Sequence, residues 1–166
     1  MISRSDVQFS VVLDDPSFRF NALHALTFRD AQGRAQTEPL HGHDFRAILK
    51  ISGPLDETGC VVDFVATSRV LRETLDAWNY KLVATKDSRV ASRDDRADAN
   101  VKLVDARNPS TEEIALNLLD EFLERFRNRI KREIASFSFV LSLEEAPGCA
   151  VEVVFRPDSA KSQRRV

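Results

Sequence analysis

Hydrophobic and polar positions alternate most cleanly from His41 onward. His41, His43, Phe45, Ala47 and Leu49 fall on one side, and Asp44, Arg46 and Lys50 on the other. A period of two is the strand signature, and it places both imidazoles on one face. Upstream, "DVQFSVVLDD" and "SFRFNALHAL" predict two strands turned at Asp14-Asp15-Pro16. In the second of these, Phe18, Phe20, Ala22 and His24 share a face. The polar stretch "RDAQGRAQTEP", Arg29 to Pro39, carries a Gly and a Pro and predicts a loop leading into the histidine strand. That strand ends at "SGPLDETG", which has strong turn chemistry.

The period then lengthens. Asp63 is placed to cap a helix through "FVATSRVLRETLDAW", with Phe64, Leu71, Leu75 and Trp78 toward a core. The charged stretch "KDSRVASRDDRADANVKLVDARN" predicts a surface loop with room for a short strand at "VKLV". "PSTEE" opens a second helix, with Ser110 and Glu113 at capping-box spacing and one apolar stripe of Ile114, Leu118, Phe122 and Phe126. "SFSFVLSLEE", the turn "APGC" and "AVEVVF" close the chain as an antiparallel hairpin. The order ββααββ predicts an α+β fold, an antiparallel four-stranded sheet with two helices on one face.

Composition narrows this only by exclusion. With 166 residues, 43% hydrophobic and 30% charged, the chain has the size and make-up of one globular domain. We place that domain at 1–156, with a polar, disordered tail at 157–166. A net charge of −2 gives no general attraction to nucleic acid. No apolar run is long enough to span a membrane. "MISRSDVQF" has no apolar signal region, so a cytoplasmic location is the expectation. Two cysteines, Cys60 and Cys149, make neither a disulfide framework nor a cysteine-rich zinc site.

The unusual chemistry lies in the histidines. The chain has three, and His24, His41 and His43 all fall on strand faces that can look at the same space. Three imidazoles plus one open position is a common catalytic zinc arrangement. The other account is that each is an ordinary hydrogen-bonded core or surface histidine.

Taken in order, "FRFNALH", "LHGHDF", "GCVVDF", "NPSTEEIA" and "SLEEAPG" resemble the 6-pyruvoyl-tetrahydropterin synthase and 6-carboxy-tetrahydropterin synthase family, from about Phe18 to Phe155. The resemblance implies the tunnelling fold, in which ββααββ subunits form a trimeric barrel, usually doubled into a hexamer with active sites between subunits. It implies that His24, His41 and His43 bind Zn²⁺, and that the substrate is a reduced pterin such as 7,8-dihydroneopterin triphosphate. It also implies a glutamate that anchors the pterin, here Glu145, with Glu144 as the fallback. Ser110 and Thr111 stand where the family contacts the pterin, and capping of the helix accounts for them equally well. Asp63 matches the family too, and reads mainly as a cap.

The chain departs from the family pattern where protons move. The best-known members use a Cys a few residues before the HGH motif and an Asp-His pair after the first helix. Here "AQTEPL" has no cysteine, Cys60 and Cys149 lie in other segments, and no histidine follows His43. Aligning Leu75-Asp76-Ala77 keeps the Asp, whereas aligning Trp78 to Val83 places Asn79 and Tyr80 at the pair. Glu38, three residues before His41, resembles the type III subset of the family, which carries Glu in place of Cys. Glu38 is therefore the candidate general base, and Tyr80 a candidate donor or weak acid in the missing His position. The expected function is a zinc-dependent lyase or synthase acting on a pterin side chain. The alternative is a catalytically silent relative that keeps the zinc and pterin sites.

Overall fold

The computed structural model describes residue 3, residues 6–87 and residues 100–157. The charged stretch at 88–99 and the tail beyond Pro157 lie outside the described residues. Among the described residues, nine strands and two α-helices run in the order β1 (Phe9–Leu13), β2 (Arg19–His24), β3 (Thr27–Arg29), β4 (Ala35–Thr37), β5 (His41–Gly53), α1 (Phe64–Asp76), β6 (Lys81–Thr85), β7 (Val101–Val104), α2 (Thr111–Ile130), β8 (Ser138–Ala146) and β9 (Cys149–Phe155).

β5 organises the sheet. One edge pairs antiparallel with β8, from Arg46 opposite Glu144 to Ser52 opposite Ser138. Its other edge takes β2 at His41 to Arg46 and β1 at Leu49 to Gly53, both antiparallel. The two strands turned at residues 14–16 therefore lie end to end along one partner rather than pairing with each other. β9 completes the expected hairpin with β8, and Gly148 supplies the positive φ of 79° in its turn.

The α+β class with helices on one face is observed, and the sheet is larger than expected. β6 joins β2 in parallel and β7 joins β6 in parallel, giving seven strands in the order β7-β6-β2-β5-β8-β9 with β1 also on β5. "VKLV" is a strand, and the neighbouring "KLVAT" is a strand that periodicity did not separate from the end of α1. The predicted loop at 29–39 instead contains β3 and β4, paired in a small separate hairpin. All six of its strand residues are exposed, so no hydrophobic alternation announced it. Turn chemistry holds it: the Asp30 carboxylate accepts from the Gln32 and Arg34 amides at 3.0 and 2.9 Å, and Gly33 takes a φ of 78°.

The alternation of β5 is realised fully: Phe45, Ala47, Leu49 and Ile51 are completely buried. Leu71, Leu75 and Trp78 at α1 and Ile114, Leu118, Phe122 and Phe126 of α2 pack over them. Each large side chain buried this way contributes roughly 1.5–3 kcal/mol of transfer free energy. Phe64 departs from expectation. At the first position of α1 it points outward and is 60% exposed. Asp63 does cap α1, accepting from the Val65 and Ala66 amides at 2.8 and 3.0 Å. Ser110 occupies the N-cap position of α2, but its hydroxyl makes no cap hydrogen bond, so the predicted capping box is not formed.

Candidate metal and substrate site

Strand register brings the three histidines together. His24 stands opposite His41 across the β2–β5 ladder, and Ala22 stands opposite His43. Facing side chains in an antiparallel pair are ~4.5–5.5 Å apart at Cβ, and diagonal ones remain in reach. The ring centroids form a near-equilateral triangle of 4.8 Å (His24–His41), 5.1 Å (His24–His43) and 4.9 Å (His41–His43).

Main-chain carbonyls orient two of the rings. His24 Nδ1 lies 2.7 Å from the Pro109 carbonyl, and His41 Nδ1 lies 2.9 Å from the Pro39 carbonyl. A carbonyl only accepts, so each Nδ1 carries the proton and each Nε2 keeps a bare lone pair. Asn108 holds the loop that presents Pro109: its side chain bonds both the amide and the carbonyl of Thr27, at 2.9 and 2.8 Å. The motif "NPSTEE" thus serves the histidines as well as the helix start, a role that residue spacing did not signal.

The Nε2 atoms of His24 and His43 are buried and have no hydrogen-bond partner among the described residues. Leaving a buried polar atom unmatched costs about 1–3 kcal/mol, so such atoms in a native fold call for an explanation. A divalent cation supplies one, because neutral imidazole Nε2 is a good zinc ligand. Burial is the largest influence on His43 and lowers its pKa from 6.5, with His24 and His41 adding repulsion and Glu145 partly opposing them. The ring is thereby kept in its neutral, ligating form near pH 7.

Glu145 enters the same cluster. The register of β8 against β9 slips between Glu144 and Ala146, and such bulges re-aim side chains. Glu145 Oε1 lies 3.1 Å from both His24 Nε2 and His43 Nε2. One ligating atom from each of His24, His41, His43 and Glu145 falls within 4.8 Å of every other. Glu144 does not join them. It turns to the other side, 3.6 Å from Arg46, and accepts the Gly148 amide at 3.1 Å.

Glu38 sits at the rim of the cluster. Its Oε1 accepts the Leu26 amide at 2.7 Å and is 3.9 Å from His41 Nδ1, while its own amide donates to the Leu26 carbonyl at 3.0 Å. Ser110, Thr111 and Glu145 line one cavity of about 320 Å³ together with Leu26, Glu112, Cys149, Ala150 and Val151. Cys149 arrives there because the turn at Pro147-Gly148 folds β9 back beside β8, a placement its position in the sequence did not indicate. Tyr80 is 73% exposed, holds a φ of 57°, and lines a second cavity of about 200 Å³ with Asn21, Leu23, Gly42, Asp44 and His43, apart from the one at the start of α2.

Similarity to known proteins bears on the family and the fold. A family profile described as 6-pyruvoyl tetrahydropterin synthase matches residues 15–154. A candidate 6-carboxy-5,6,7,8-tetrahydropterin synthase of Archaeoglobus fulgidus is 30% identical over 67 residues, which is 40% of this chain and 54% of that protein. The chain thus matches about half the length of that curated relative. The crystal structure of 6-pyruvoyl tetrahydropterin synthase from Plasmodium vivax superposes with a TM-score of 0.73 at 22% identity, covering 91% of this chain and 99% of the other. A variant of that enzyme, with alanine in place of a glutamate described as a catalytic residue, gives a TM-score of 0.71 at 20% identity, covering 91% and 99%. The backbone arrangement is therefore the tunnelling fold of those enzymes, and the chain belongs to the 6-pyruvoyl tetrahydropterin synthase family.

Proposed function

We propose that the chain is a zinc-dependent lyase or synthase acting on the side chain of 7,8-dihydroneopterin triphosphate or a related reduced pterin. The observation that carries this reading is the convergence of three imidazoles, two of them with unmatched buried nitrogens, beside a cavity lined by Glu145, Ser110 and Thr111. His24, His41 and His43 would hold Zn²⁺, which when bound acidifies a coordinated hydroxyl and polarises it for proton loss.

The chain's own residues then divide the work. The pterin ring docks in the cavity at the start of α2, where the Ser110 hydroxyl is free of capping duty and Thr111 lies beside it. A carboxylate there matches the paired N–H groups of a pterin edge. Glu38 removes the proton. The Leu26 amide fixes its Oε1, and among the described residues its other oxygen has no hydrogen bond and stays available as a base. In the Plasmodium vivax relative a glutamate is described as catalytic, which supports a carboxylate in this role. Relatives in this family assemble as homo-oligomers and this chain would do the same, with Tyr80, which shares a cavity with His43, as the candidate donor or weak acid.

The test is turnover of 7,8-dihydroneopterin triphosphate by zinc-loaded protein, with products identified by chromatography. Glu38→Ala is expected to lower the rate at least ~100-fold, the usual scale for a general base. A variant working at the wild-type rate removes Glu38 from the chemistry. Pterin binding without any product would instead mark a silent relative.

A further inference from the structure

We propose that Glu145 is a fourth protein ligand of the metal, closing the coordination sphere until a substrate displaces it. This rests on the zinc reading above and goes further, because three histidines alone would leave the fourth position to water.

The first argument is distance. Four ligands ~2.0–2.1 Å from a tetrahedral zinc are separated from one another by roughly 3.3 Å. Glu145 Oε1 is 3.1 Å from Nε2 of His24 and 3.1 Å from Nε2 of His43, close to such an edge twice over. The second is charge. The Pro109 carbonyl keeps the His24 proton on Nδ1, so a bare Nε2 lone pair faces the Glu145 carboxylate oxygen at 3.1 Å, and neither buried Nε2 has a hydrogen-bond partner among the described residues. Two electron-rich atoms held this close with no proton between them are reconciled by a cation that both ligate. The third is placement. Glu145 lines the cavity at the start of α2, and the three histidines are absent from that lining. A molecule entering there meets the carboxylate before the metal.

Glu145 therefore gates the site as well as anchoring what enters it. A pterin that takes up the carboxylate frees a coordination position in the same motion, so exchange at the metal is tied to recognition of the ring.

The experiment uses metal-stripped full-length protein and Glu145→Gln, reloaded in the absence of pterin. Zinc affinity is measured by chelator competition, and ligand geometry by the visible absorption of the Co²⁺ form. Loss of an outer-shell partner typically weakens metal binding ~10–100-fold, so loss of a direct ligand should cost at least tenfold, with a changed Co²⁺ spectrum. Equal zinc affinity and an unchanged spectrum in folded Glu145→Gln overturn the proposal. A crystal structure of the zinc-loaded, pterin-free wild type decides independently. A Glu145 oxygen ~2.0–2.2 Å from the ion supports it, and a water in that position with the carboxylate turned away overturns it. A wild-type chain that takes up no zinc would defeat the zinc reading itself, a result distinct from zinc bound without Glu145.

Discussion

Zinc should raise the thermal stability of this chain, and the size of the effect follows from the site. In the metal-free protein, His24 is 1% exposed and its Nε2 is unmatched, at a cost of about 1–3 kcal/mol. A ligand that binds only the folded state, present at a free concentration of 100 times its dissociation constant, adds ~2.7 kcal/mol. For chains of 150–250 residues each 1 kcal/mol moves the melting temperature by ~2–4 °C, so the combined expectation is a rise of about 5–11 °C. Differential scanning calorimetry of chelator-stripped protein, with and without zinc at that excess, measures it. His41→Ala is the control of choice, because His41 is partly exposed and its loss opens no core cavity. That variant should lose most of the shift. Stripped and zinc-loaded wild type melting together, or His41→Ala responding as strongly as wild type, would show that the imidazoles do not hold an ion.

Three further outcomes follow from the fold and the site. Asp63→Ala removes the acceptor for two helix-start amides and should destabilise the protein by ~1 kcal/mol in urea titration, with the slope unchanged. Gly53→Ala would drive a methyl group into the buried Phe137 ring, 2.8 Å from Cε1 and 3.1 Å from the Ser136 carbonyl, and should cost about 1–3 kcal/mol in the same assay. In metal-free protein the lowered pKa of His43 means that the unfolded chain takes up its proton first as pH falls below 6.5. Stability should therefore be full above that pH, decline as pH falls, and level off once the folded ring is also protonated. Melting curves from pH 8 to pH 5, compared with His43→Gln, isolate this contribution.

Much of the architecture was legible from local pattern, because burial on one face imposes a period on the residues that supply it. The alternation through β5 and β2, the stripe of α2, the Asp63 cap and the β8–β9 turn each carry their signal within a few neighbouring positions. The family motifs named the three histidines for the same reason: they ride on strand faces whose direction is set two residues at a time. What local pattern could not supply was structure without a buried face, or anything fixed by partners distant in sequence. β3 and β4 are held by Asp30 and by pairing with each other, with no buried face to mark them. β6 and β7 join in parallel, a pairing that no short turn advertises. The Pro109 carbonyl that sets the His24 ring comes from 85 positions away. The Glu145 carboxylate reaches the imidazoles because β8 pairs with β5, which sets Leu143 opposite Ala47, and Cys149 reaches the cavity because the β8–β9 hairpin closes. Sequence by itself determined the candidate side chains and the faces they share. The tertiary structure decided which of them meet, since register, bulges and long-range carbonyl contacts arise from packing between elements and leave no periodic trace along the chain.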